Sequence, residues 1–85
     1  MGTTSGTVLA ANTDRKYACF INDSDTAIYL AEGTAAVVNS GIRLNANGGI
    51  YEMSPAVGNL YAGEINGISS AATKKVLVTE GTVSD

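Results

Sequence analysis

The chain has 85 residues, no His, no Trp, one Cys and one Pro, and a formal net charge of −3. That length makes one domain; the lone Cys19 excludes an internal disulfide, and one thiol without His excludes the usual Cys/His zinc sites. The cations Arg15, Lys16, Arg43, Lys74 and Lys75 form no basic stripe, and no apolar run approaches the roughly 20 residues that span a bilayer, so neither nucleic acid nor membrane is an expected partner.

Met1–Gly6 is small and polar, reads as a flexible N-terminal arm, and lacks the charged and apolar regions of a signal peptide. Thr7–Ala11 is a short strand candidate closed by Asn12-Thr13-Asp14. Arg15–Asn22 is the strongest strand: period-two alternation places Tyr17, Cys19 and Ile21 on one face, and Lys16, Ala18, Phe20 and Asn22 on the other. Phe20 on the second face predicts a strand partly covered on both sides. The alternation also assigns Cys19 to the core as a small hydrophobe. Asn22–Asp25 is a turn of four turn-favouring residues, and Thr26–Ala31 follows as a strand with Ile28 and Leu30 opposite Tyr29.

Ala35–Val38 fits either a strand or one helical turn, and Asn39-Ser40-Gly41 breaks it. Ile42–Leu44 alternates as a strand, and Asn47-Gly48, which tolerates positive φ, predicts a hairpin to Ile50–Met53. Ser54–Asn59 is a loop. Leu60–Ile65 reads as a strand, with Asn66-Gly67 a bulge or turn before Ile68. Thr73–Glu80 is the last strand, its Val76 and Val78 facing one way and Leu77 and Thr79 the other.

Seven or eight short strands with turns every 8–12 residues predict an all-β fold, a small antiparallel β-sandwich of jelly-roll-like form. The domain spans 7–80, between an arm at 1–6 and a tail at 81–85. A core this small is marginal, and 45% apolar residues with only 15% charged leave much neutral surface. Oligomerisation or docking on a larger body is the expected supplement.

Catalysis is not expected, because no nucleophile has an adjacent His base and no Ser-x-x-Lys occurs. Asp23 and Asp25 are a close carboxylate pair, but a strand follows them where a calcium loop would continue, so a solvated turn is expected and no metal or cofactor. Asn22-Asp23-Ser24 matches a glycosylation sequon. Tyr17, Tyr29, Tyr51 and Tyr61 each sit in a predicted strand, where an aromatic with a polar tip suits a core rim or an interface. The candidate interface residues are Thr7, Phe20, Tyr29, Tyr51 and Tyr61.

One pattern runs through residues 15–80: Arg15, an apolar strand, Asn22-x-Ser24, an Ile28-Tyr29 strand, Gly41-Ile-x-Leu44, a Gly, Tyr51-Glu52, another strand, and Val76-x-Val-x-Glu80. It resembles small β-sandwich structural proteins encoded among the virion genes of tailed bacteriophages and prophages. The resemblance implies a non-enzymatic protein of the capsid surface, made in the host cytoplasm. Its role would be capsid decoration or cement, bridging capsid subunits. The implied partners are the major capsid protein, or another virion protein, and further copies of the chain, a homo-oligomer with a trimer favoured. The N-terminal arm would then add a strand to a capsid edge. The alternative is a tail or fibre accessory module whose tyrosines form a platform for a receptor or glycan.

Overall fold

A computed structural model of the chain describes residues 2–82. Seven strands form there: β1 (Gly6–Leu9), β2 (Arg15–Asn22), β3 (Ile28–Glu32), β4 (Ile42–Leu44), β5 (Ile50–Met53), β6 (Ile65–Ser69) and β7 (Val76–Thr82). They make two antiparallel sheets, a four-stranded one in the order β1-β6-β3-β4 and a three-stranded one in the order β5-β2-β7. Every connection except β3–β4 passes from one sheet to the other. That alternation, with these neighbours, is the order of an eight-stranded jelly roll without its first strand. The expected all-β sandwich is therefore the fold, and among the described residues the place of that first strand, beside β7, holds no strand.

The core lies between the sheets. Ala18 and Phe20 come from β2, Ile28 and Leu30 from β3, and Leu44, Met53 and Ile65 from β4, β5 and β6. Each large aliphatic or aromatic side chain fully buried there contributes about 1.5–3 kcal/mol, so this cluster dominates the apolar stabilisation. Tyr51 stacks on Phe20 with ring centroids 6.4 Å apart. A smaller cluster forms on the outer face of the four-stranded sheet, where Ala36 covers Tyr29 and Ile68. Segment 33–40, expected as strand or helical turn around 35–38, is irregular and serves as this cover.

Three further expectations change. Asn47 (φ 60°) and Gly48 (φ 104°) do make the predicted turn, but β4 and β5 lie in different sheets, so it is a crossover and not a hairpin. The turn is anchored instead on the end of β2: Gly48 N donates to Asn22 O (2.8 Å), Asn22 N to Gly49 O (2.8 Å) and Asn47 N to Ser24 O (2.7 Å). Leu60–Glu64 is irregular, because its carbonyls serve other donors: Asn12 N bonds Ala62 O, Gly33 N bonds Glu64 O, and the Arg15 guanidinium takes Tyr61 O and Gly63 O. Asn66-Gly67 is neither bulge nor turn; it continues β6, where Gly67 is in register with both Gly6 and Leu30.

The ends also shift. Thr73 adopts φ 61°, which no strand residue can, so β7 starts at Val76 and runs on to Thr82. Residues 2–5, part of the expected flexible arm, lie along the four-stranded sheet: Ser69 N donates to Gly2 O (2.9 Å) and Ala36 N to Ser5 Oγ (2.8 Å). Met1 and residues 83–85 of the expected arm and tail lie outside the described residues.

Candidate docking surface

The two ends of β2 carry buried polar clamps. At its start, Arg15 is 1% exposed. Its Nε donates to Glu80 Oε2 (2.7 Å), Nη1 to Tyr61 O (2.7 Å) and Gly63 O (3.0 Å), and Nη2 to Ala10 O (2.5 Å). One planar fork thereby ties β2 to β7, to the chain entering β6 and to the chain leaving β1. At the other end Asn22 is fully buried; its Nδ2 donates to Thr26 O (2.8 Å) and Leu44 O (3.0 Å), and its Oδ1 accepts from Ser24 Oγ (2.6 Å). The sequon Asn22-x-Ser24 is thus a structural corner, and its amide nitrogen faces carbonyls instead of solvent. These clamps account for Arg15, Asn22, Ser24 and Glu80 in the motif.

The two sheets differ on their outer faces. Segment 33–40 covers Tyr29 and Ile68 on the four-stranded sheet, while on the outer face of the three-stranded sheet the side chains of both flanking strands, Ile50, Glu52, Leu77 and Thr79, are exposed. Register there aligns Ile21 with Ile50 on β5 and with Leu77 on β7, so the three side chains form one row across the sheet. Ile50 is 59% and Leu77 42% exposed, and Ile21 is half-buried. The next row is Glu52, Cys19 and Thr79. Cys19 is buried, as expected, but on this outer face and not in the core between the sheets. Beside it the Tyr17 hydroxyl donates to Glu52 Oε2. That bond, followed by desolvation and by the neighbouring Cys19, holds the Tyr17 phenol well above its ordinary pKa.

The candidate interface residues are scattered. Thr7 is exposed on β1 and donates to Glu64 Oε2 (3.0 Å). Phe20 is fully buried in the core, so its assignment to an interface is corrected: it faces the opposite sheet. Tyr29 is 6% exposed under segment 33–40, bonded through its hydroxyl to Asn39 Oδ1 (2.9 Å), with Arg43 Cζ 6.0 Å from its ring centre. It too is closed to a partner. Tyr51 and Tyr61 are half-buried against the core, and the Tyr51 hydroxyl accepts from Asn59 Nδ2 (3.1 Å). None of these three tyrosines is exposed as a platform. The apolar row was missed because Ile21, Ile50 and Leu77 stand far apart in the chain. Strand alternation gave Ile21 and Leu77 their faces; only register makes them neighbours.

Other chemistry is sparse. Among the described residues no three His, Cys, Asp or Glu side chains gather as a metal site. Asp25 is exposed and pairs with Lys74 Nζ (2.7 Å); that bond, with one from the Thr26 hydroxyl, lowers its carboxyl pKa. An open groove of about 510 Å³ lies between β3 and segment 34–42, lined by Glu32, Thr34, Val37 and Ser40 among others. No protein-family model, curated protein or solved structure matches this chain.

Proposed function

We propose that this chain is a non-enzymatic virion structural protein of a tailed bacteriophage, which decorates the capsid and cements it by bridging neighbouring subunits. The observation that carries the reading is the bare outer face of the three-stranded sheet, with its row of Ile50, Ile21 and Leu77 on a sandwich clamped at both ends of β2. A cement protein needs a rigid body and an adhesive, charge-poor face. Only Glu52 among the acidic side chains stands in the two rows of that face, and its carboxylate is engaged by Tyr17. The resemblance over residues 15–80 supports the same assignment. A shell offers many equivalent sites, so a modest contact repeated by symmetry gives strong retention wherever one particle bridges two subunits.

The test is mass spectrometry and particle reconstruction on virions that carry this gene. The expected result is a stoichiometric component on the outer capsid, whose removal lowers the temperature at which heads release DNA. Absence of the protein from purified virions overturns the proposal. The receptor- or glycan-binding alternative requires an exposed aromatic platform, and the positions of Tyr29, Tyr51 and Tyr61 give it no support.

A further inference from the structure

β7 is the longest strand with an open edge. The other edge strands protect themselves: β1 has four residues and a register shift between Thr7 and Leu9, β4 has three and β5 four. β7 has seven, Val-Leu-Val-Thr-Glu-Gly-Thr, without Pro. Its one charge, Glu80, turns inward to Arg15 instead of guarding the edge. Short length, outward charges, bulges and Pro are the usual means of keeping an edge from pairing, and over most of its length β7 has none of them.

The hydrogen-bond parity is definite. Asp23 N donates to Lys75 O (2.9 Å), and Asn22 is in register with Val76. In an antiparallel ladder this directs the N–H and C=O of Leu77 and Thr79 toward β2, and those of Val76, Val78 and Glu80 away from it. No described backbone group bonds those outward donors and acceptors. The place they face is where a jelly roll carries its first strand.

We propose that this edge pairs with β7 of a second copy, antiparallel about a two-fold axis through Val78. The edge is self-complementary in that register. Val78 meets Val78 of the second copy, and Val76 meets Glu80, so every outward donor finds an outward acceptor. On the exposed face Leu77 lies opposite Thr79 of the second copy and Lys75 opposite Gly81, and no like charges oppose one another. The two three-stranded sheets become one six-stranded sheet. Because the axis is perpendicular to the sheet, both apolar rows face the same way. The pair would present two copies of the proposed docking face to one surface. The self-pairing does not rest on that docking reading: the mass of the free protein tests one, and its presence in virions tests the other.

The experiment is light scattering coupled to size exclusion on the isolated protein over a concentration series, with two variants. Val78→Pro removes the N–H at the two-fold axis and leaves the β2 ladder intact, since that N–H does not face β2. Leu77→Lys places a charge beside the edge on the solvent face without touching the core. The expected result is a species of twice 8.6 kDa for the unmodified chain. At least one variant should return to the monomer mass while keeping the wild-type circular dichroism spectrum. A monomer throughout the series, a trimer, or a dimer that survives both folded variants overturns the proposal. If Val78→Pro unfolds, Leu77→Lys alone decides.

Discussion

Replacing Arg15 by Met tests the clamp at the start of β2. Met fills similar apolar volume but donates nothing, so four hydrogen bonds disappear: one to Glu80 and three to the carbonyls of Ala10, Tyr61 and Gly63. Removing one partner of a buried ion pair costs about 3–5 kcal/mol. Glu80 retains 24% side-chain exposure and recovers some hydration. The three part-buried carbonyls offset that recovery, each at less than the cost of a fully buried unpaired group, which is about 1–3 kcal/mol. We therefore expect a loss of about 3–5 kcal/mol. A chain of 85 residues has a total stability of about 4–13 kcal/mol, so the variant stands near the limit of folding. Thermal denaturation followed by circular dichroism should show a fall of about 12–40 °C in Tm. Arg15→Lys should fall less, because one ammonium still meets Glu80 but cannot reach all four acceptors. Arg15→Met combined with Glu80→Met should recover only the ion-pair share, leaving the carbonyl share lost. An Arg15→Met variant melting within about 4 °C of wild type, a shift worth less than about 1 kcal/mol, refutes this account of the clamp.

Asn22→Leu should cost about 1–3 kcal/mol in urea denaturation, since it leaves Leu44 O without its buried donor, while Thr26 O keeps the Ser24 hydroxyl. Gly41→Ala should lower stability by at least about 1 kcal/mol: φ is +80°, and a Cβ there would sit 2.6 Å from Leu30 O. The Tyr17 phenol has a folded pKa above its unfolded value, so its contribution is complete below pH about 10 and lost as pH rises through the folded value. The difference in absorbance at about 295 nm between the unmodified chain and Tyr17→Phe should isolate a phenol that ionises later in folded than in unfolded protein. Asp25 has the opposite sign: its folded pKa is lowered by Lys74, so its contribution is present above the unfolded value and lost as pH falls through the folded one. An NMR titration of the Asp25 carboxyl should move toward the unfolded value in Lys74→Gln.

Local alternation determined a good deal by itself. The bounds 15–22, 42–44 and 50–53 coincide with β2, β4 and β5, and the side chains of β3 and β7 divide between two faces as spacing two predicts, with the structure showing which face is inward. Those features depend on neighbours within a strand, which the sequence displays directly. Tertiary structure decided which sheet each strand joins. Asn47-Gly48 has the chemistry of a hairpin turn, yet Asn22 and Ser24 take up its backbone groups and send it across the sandwich. Arg15 reads locally as the first residue of a strand and one of five scattered cations; its burial comes from a guanidinium meeting carbonyls up to 48 residues away, and those bonds, with the ones from Asn12 N and Gly33 N, keep Leu60–Glu64 out of a strand. The apolar row likewise exists only by register, because Ile21, Ile50 and Leu77 become neighbours when β2 is flanked by β5 and β7. Sequence fixes a side chain's face through the pleat of its own strand, whereas its partners across the sheet are set by long-range pairing that no local period encodes.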